Sequence, residues 1–172
     1  DSFVCWLNRK FPRLGYMAVN SRVFWAVGES RYSFCGDDGA ICREAARGPW
    51  RETVAAAEAH TDRTAACEFT AFIGYEWTSL VRGNNMHRVV IYKDGGDKGG
   101  SMVPYTTVAP EGSTNPRDLW TWLEGYEEKT GGNVLAIAHN GNLANGIMFP
   151  METQNDGKEI DISYVERRAR WE

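Results

Sequence analysis

Three short apolar runs place the strongest constraint on how this chain can fold. They are Phe69–Tyr75, Val89–Tyr92 and Val134–Ile137. Each is rich in β-branched or aromatic residues and bounded by polar or glycine-containing segments, a pattern typical of strands buried on both faces. Helical patterns lie between and around them. The resulting order of helix, strand, strand, helix, strand, helix predicts an α/β fold with a largely parallel sheet.

The helical patterns differ in how clearly they begin and end. Gly39–His60 is rich in alanine and has high helix propensity, but Pro49 predicts either a bend or two helices that meet there. Asn115 is a strong helix start, because a capping amide precedes a proline and an acidic residue in the first turn. A last helix is predicted near Asp161–Trp171. The side chains on its predicted apolar side are Ile162, Val165 and Ala169.

Composition excludes some partners and leaves the location open. The net charge of -4 gives no reason to expect nucleic-acid binding, which usually requires clustered basic surface. No apolar run approaches the roughly 20 residues that span a bilayer, and the first residues show no signal-peptide pattern. We divide the chain into an unassigned N-terminal segment, residues 1–34, and a partial domain, residues 35–172.

The chain has four cysteines, which are Cys5, Cys35, Cys42 and Cys67. Cys35 and Cys42 lie on either side of a Gly-Asp-Asp-Gly stretch. A disulfide between them could close a short loop in an oxidising compartment. Unpaired buried cysteines are the alternative. A structural zinc site is disfavoured, because no pair has the close spacing of such sites.

Polar side chains stand at the ends of the three predicted strands. Glu76 ends the first, His87 opens the second and His139 ends the third. Side chains just past the carboxyl ends of parallel strands converge on active sites in α/β proteins, and Glu76 and His139 follow this rule. An antiparallel second strand would place His87 on the same rim.

Two imidazoles and a carboxylate are a suitable ligand set for zinc, manganese or iron. Such an ion lowers the pKa of bound water to about 7 and polarises the bond under attack. Each residue also has a simpler interpretation. Glu76 would be a solvated or ion-paired residue, His139 a strand cap and His87 a loop histidine, while His60 fits the end of a helix.

Four runs of sequence carry a resemblance to a known group of proteins. They are FTAFIGYEWTS, NNMHRVVIYKDG, NPRDLWTWLE and VLAIAHNGNLANGIMF. They resemble an uncharacterised family of large bacterial proteins related to the PHP (polymerase and histidinol phosphatase) metallophosphoesterases. The resemblance covers about residues 35–172. It implies part of a distorted (β/α)7 barrel with largely parallel strands, and the metal-dependent hydrolysis of phosphoesters.

Roles for individual residues follow from this resemblance. It implies catalytic and metal-ligand roles for Glu76, His87 and His139, with divalent manganese, zinc or iron as the cofactor. Asn140 and Asn142 would contact the substrate or support the ligands. For the same hydrolase, Arg88 or Arg82 would be available to pair with a substrate phosphate, although both also fit solvated surface charges. The expected substrate is a small-molecule phosphoester or related ester.

The chain also departs from the family pattern. Family members open with an HxH motif and carry a later Asp-His pair, whereas the three histidines here are His60, His87 and His139. We therefore expect an internal fragment whose site is completed by the rest of the enzyme or by another chain. The alternatives are a non-catalytic carbohydrate- or protein-binding module that has lost its metal site, and a structural remnant within a larger assembly. Family resemblance favours a periplasmic or secreted location.

Overall fold

The computed structural model describes residues 33–81, 83–139, 141 and 143–172. After a short 3-10 helix at Ser33–Cys35, the helices and strands follow in the predicted alternation. They are α1 (Ala40–His60), β1 (Ile73–Val81), β2 (Asn84–Tyr92), α2 (Gly96–Gly99), α3 (Pro116–Thr130), β3 (Val134–His139) and α4 (Ile162–Trp171). Apart from the four-residue α2, this is the order expected from the sequence.

The three strands form a sheet in the order β1-β2-β3, and both neighbouring pairs are antiparallel. The predicted parallel sheet within part of a (β/α)7 barrel is therefore wrong. Val81 and Asn84 pair directly across the hairpin, and only two residues lie between them in the chain. A connection this short can join only antiparallel strands, because a parallel pair needs a crossover of a dozen or more residues. Gly83 suits the turn because its φ is 80°.

The sheet buries one face and leaves much of the other accessible. Along β2, Met86, Arg88, Val90 and Tyr92 are buried, and the residues between them are only partly so. On the opposite face of β3, the side chains of Leu135 and Ile137 are 46% and 44% exposed. The prediction that these strands are buried on both faces is thus wrong, because the helices among the described residues cover one face only.

Helices α1 and α3 supply much of the core on the covered face. Trp77 of β1 and Val90 of β2 belong to one buried cluster with Leu119 and Leu123 of α3. Trp50 of α1 joins the same cluster. Helix α1 continues through Pro49 as one helix, so the two-helix alternative is wrong.

Capping residues define the beginnings of α3 and α4. The side chain of Asn115 accepts a hydrogen bond from the Arg117 N–H, which confirms the predicted cap. Asp161 caps α4 in the same way. The predicted apolar side of α4 is wrong, since Ile162 and Val165 are 72% and 49% exposed. The buried side chains of this helix are Tyr164 and Trp171.

A disulfide joins Cys35 to Cys42 and so ties the 3-10 helix to the first turn of α1. Of the two alternatives for Cys35 and Cys42, the disulfide is the one that the structure shows. Cys67 is free and exposed, and Cys5 lies outside the described residues. Among the helices described, none combines the length and apolar character needed to cross a membrane.

Candidate functional site

Strand register brings the three predicted ligand residues together. His87 of β2 pairs with Thr78 of β1 on one side and with His139 of β3 on the other, so these residues form one row across the sheet. Glu76 lies two residues before Thr78 and therefore on the same face. Glu76 and His87 lie within their strands rather than at strand ends as expected, and His139 is the last residue of β3.

The carboxylate of Glu76 lies between the two imidazoles. Its Oε1 is 2.7 Å from His87 Nδ1 and 3.8 Å from His139 Nε2. The two rings have centroids 5.9 Å apart. The side chain of Glu76 is 49% exposed, that of His139 35% and that of His87 16%. The cluster therefore lies at the accessible face of the sheet, with its carboxylate open to solvent.

Thr78 is a member of this cluster that the sequence interpretation missed. Its Oγ1 donates a hydrogen bond to Glu76 Oε1 at 3.3 Å and lies 3.1 Å from His87 Nδ1. The signal that would have found it is the Glu-Trp-Thr spacing, since residues two apart in a strand share a face.

The contact between Glu76 and the second imidazole, that of His139, is not a hydrogen bond. His139 Nε2 is buried and has no hydrogen-bond partner. Its distance of 3.8 Å from Glu76 Oε1 is short enough for electrostatic attraction but too long for a hydrogen bond. A buried nitrogen without a partner is uncommon in proteins, so this atom is available to a further partner.

The donor types of the cluster fit a transition metal, because imidazole nitrogens and a carboxylate are common ligands of zinc, manganese and iron. Their present arrangement is a hydrogen-bonded one. Within residues 33–81, 83–139, 141 and 143–172, no group of three or more histidine, cysteine, aspartate or glutamate side chains is arranged to hold a metal ion. Glu76 Oε1 and His87 Nδ1 face each other across 2.7 Å rather than a common centre.

Arg88, which was predicted to bind substrate, lies away from this cluster. Adjacent residues of a strand point to opposite faces, so Arg88 lies on the covered face when its neighbour His87 lies on the accessible one. Its side chain is fully buried, and its Nε lies 2.8 Å from Glu172 Oε1. The other predicted contacts, Arg82, Asn140 and Asn142, lie outside the described residues.

His60 stands apart from the cluster, as its position in the sequence indicated. It is exposed at the end of α1, and its Nδ1 lies 2.8 Å from the carbonyl oxygen of Ala56. This contact is local to the helix, so His60 serves as a matched control histidine for experiments on the cluster.

Comparison with known proteins identifies one family. A family model with the description "Protein of unknown function (DUF3604)" matches residues 11–172, which is nearly the whole chain. No curated protein matches the chain, and no solved structure does.

Proposed function

The chain belongs to the DUF3604 family, and from the chemistry of the cluster we propose that it contributes the metal-binding residues of a metal-dependent hydrolase that acts on phosphoesters. One observation carries this proposal. Glu76, His87 and His139 are far apart in the sequence, yet they lie in contact at one accessible face of the sheet. The relation to the PHP metallophosphoesterases stays a prediction from the sequence, and the proposal does not depend on the barrel fold.

Each side chain of the cluster has a distinct part in the proposed site. Glu76 Oε1 lies 2.7 Å from His87 Nδ1, so Nδ1 is the ring nitrogen of His87 that lies on the side of the other proposed ligands. His139 contributes Nε2, the atom without a partner. These nitrogens and the Glu76 carboxylate would hold a manganese, zinc or iron ion. When bound, such an ion supplies Lewis acidity towards the phosphoester and lowers the pKa of water to about 7.

The proposed substrate is a small-molecule phosphoester or related ester that reaches the open face of the sheet. Three protein ligands leave a coordination position open, which is the arrangement of catalytic rather than structural zinc sites. Arg88 takes no part, because it is buried against Glu172 on the other face. A cation that pairs with the phosphate would come from Arg82, from the rest of the enzyme or from another chain, and we propose the last two as partners that complete the site.

Metal content is the direct test of this proposal. The wild-type chain, His139→Ala and His60→Ala would be purified without chelator and analysed for bound manganese, zinc and iron. We expect a near-stoichiometric metal in the wild type and in His60→Ala, and at least a tenfold lower content in His139→Ala. Far-UV circular dichroism would check that the variants fold. We expect His139→Ala to fold, because His139 Nε2 makes no hydrogen bond that the substitution would remove.

Hydrolysis would then be assayed with p-nitrophenyl phosphate. Metal-dependent release of p-nitrophenol that is lost in His139→Ala supports the hydrolase. A well-folded wild type that binds none of the three metals, even when they are added, would overturn it.

A second function is favoured by exposed apolar side chains in β3 and in the segment before β1. Leu135 and Ile137 of β3 are nearly half exposed, and Phe69 and Phe72 before β1 are 60% and 62% exposed. Exposed apolar patches mark interaction sites. A non-catalytic carbohydrate- or protein-binding module would use this surface, and it would keep its binding after His139→Ala while holding no metal.

Export remains a prediction. The Cys35–Cys42 disulfide is compatible with an oxidising periplasmic or extracellular compartment, but one disulfide is not specific to either.

A further inference from the structure

The covered face of the sheet holds more positive than negative charge around Arg88. This side chain is fully buried, and its Nε lies 2.8 Å from Glu172 Oε1. Arg168 of α4 is mostly buried, and its Nε lies 3.3 Å from Oε2 of the same carboxylate. Arginine does not lose its proton in proteins, so two positive charges share one negative charge. The group of three therefore carries one net positive charge in a place largely shielded from water, where an unbalanced charge is unfavourable.

Arg88 also has hydrogen-bonding capacity that the described residues do not use. Its Nη1 donates to the sulfur of Met148 at 3.6 Å, and a thioether is a weak acceptor. Its Nη2 is buried and has no hydrogen-bond partner among the residues that the structure describes. A guanidinium nitrogen only donates, so an acceptor is the one kind of group that can satisfy it. Since a buried donor without a partner is unfavourable and uncommon, Nη2 indicates a further acceptor at this point of the core.

Two more donors of this kind lie on the same face of β1 and β2. Trp77 is the direct cross-strand partner of Arg88, and the Arg88 Cζ lies 5.6 Å from the Trp77 ring centroid. Ser79 follows two residues later in β1, so its side chain projects from the same face. Within the described part of the chain, Trp77 Nε1 and Ser79 Oγ are buried and make no hydrogen bond. An indole N–H only donates, and a serine hydroxyl is able to donate.

We propose that Arg88 Nη2, Ser79 Oγ and Trp77 Nε1 bind a small monovalent anion of the chloride class in the core. Such an ion only accepts hydrogen bonds, which suits a set of donors, and its bond to a guanidinium is strengthened by the charge. Its single negative charge balances the excess charge of the group around Arg88. A buried water molecule would also accept these hydrogen bonds but would leave that charge unbalanced. The anion would link β1 to β2, and the inference does not depend on the proposed hydrolase.

The test is thermal unfolding of the chain at neutral pH in sodium chloride and in sodium gluconate of equal ionic strength, since gluconate is too large for a buried site. We expect the wild-type Tm to rise with chloride concentration and then to level off, because a ligand of the folded state stabilises it by mass action. Ser79→Ala and Trp77→Phe each remove one donor and keep most of the side-chain volume. Each should weaken the apparent affinity for chloride about 10-fold or more. In gluconate, Ser79→Ala should be at least as stable as the wild type, because it removes an unpaired hydroxyl.

Tyr92→Phe is the matched control for these variants. It also removes a buried hydroxyl that lacks a partner among the described residues, but this hydroxyl belongs to a ring that packs against Tyr126. Its chloride response should equal that of the wild type. Crystals grown in sodium bromide give a direct readout, because bromide replaces chloride and scatters anomalously. We expect an anomalous peak in contact with Arg88 Nη2.

Three results would overturn the inference. A wild-type Tm that is the same in chloride and gluconate would exclude the anion, and this measurement requires no variant. A chloride response unchanged in both Ser79→Ala and Trp77→Phe would place the ion elsewhere. Equal losses of stability in the two salts on removal of either donor would assign a buried water to the site instead.

Discussion

The guanidinium of Arg88 connects parts of the chain that are distant in sequence. Its Nε donates a hydrogen bond to Glu172 Oε1, its Nη1 donates to the Met148 sulfur, and its Cζ lies 5.6 Å from the Trp77 ring centroid. Glu172 also accepts from the Trp120 indole N–H at 3.1 Å. Both charged side chains are almost fully buried, so this pair depends on each partner far more than a surface pair does.

We predict that Glu172→Ala lowers the free energy of unfolding by about 3–5 kcal/mol, because it leaves the Arg88 charge buried without its main partner. Urea denaturation followed by tryptophan fluorescence measures this change. The matched control is Glu44→Ala, which breaks the exposed Glu44–Arg47 pair and should change stability by less than about 1 kcal/mol. Equal effects of the two substitutions would contradict the view that burial of the Arg88–Glu172 pair makes it important.

At the scale of whole elements, local signals determine where α3 begins and ends. Asn115 caps its first turn, Pro116 occupies the first helical position, and Gly131 ends it in the left-handed conformation with φ of 62°. These signals act on neighbouring residues only, so they specify the position of the helix before any tertiary contact forms. Helix α1 shows the opposite case, because it continues through Pro49 although proline removes a backbone hydrogen bond from a helix interior.

We expect Asn115→Ala to destabilise the protein by about 1 kcal/mol, because the Arg117 N–H loses its side-chain acceptor. Asn115→Asp keeps an acceptor at the same place and adds a negative charge near the positive end of the helix, so its stability should be close to that of the wild type. Thermal and urea unfolding of the three proteins provide the comparison. A destabilisation of Asn115→Asp as large as that of Asn115→Ala would show that the cap does not act through its side-chain oxygen.

For the molecule as a whole, an aromatic cluster joins α1, the sheet and α3. Trp50 lies against Tyr75 and Tyr92, with ring centroids about 6 Å apart, and Tyr92 packs edge-on against Tyr126 at 4.9 Å. Burial raises the pKa of Tyr75 and of Tyr92 well above the ordinary value of tyrosine, because it penalises the phenolate. The hydroxyl of Tyr92 has no hydrogen-bond partner.

These shifts predict a loss of stability at alkaline pH. Tyrosine in the unfolded chain loses its proton near pH 10, whereas in the folded protein these two hydroxyls stay protonated to higher pH. The unfolded state then binds fewer protons than the folded state, so their contribution is fully present below about pH 10. Above that pH, stability falls by about 1.4 kcal/mol per pH unit for each tyrosine.

Urea unfolding between about pH 9 and pH 11 would measure this slope. Tyr92→Phe should reduce it by about 1.4 kcal/mol per pH unit. At neutral pH the same substitution should have little effect, because it removes a hydroxyl that makes no hydrogen bond. An unchanged alkaline slope in Tyr92→Phe would show that burial of this hydroxyl does not govern alkaline unfolding.

Much of the local structure was predictable from the sequence alone. The order of helices and strands, the Asn115 cap and the Cys35–Cys42 loop depend on periodicity, capping chemistry and close spacing, all of which act between near neighbours. Because side chains alternate along a strand, the sequence alone also places His87 and Arg88 on opposite faces of the sheet. The chemical types of Glu76, His87 and His139 indicated a common site, and they do lie together.

Only the tertiary structure decided the direction of the strands, the face that stays open and the residues that α4 buries. Short apolar runs have the same composition in parallel and antiparallel sheets, so the pairing of β3 with β2 depends on contacts across more than 40 residues of chain. Which side of α4 is buried depends on where that helix meets the core, and the large aromatic rings of Tyr164 and Trp171 bury more apolar area there than Ile162 or Val165 would. Likewise, the contact of Thr78 with His87 arises from register, which no local pattern specifies.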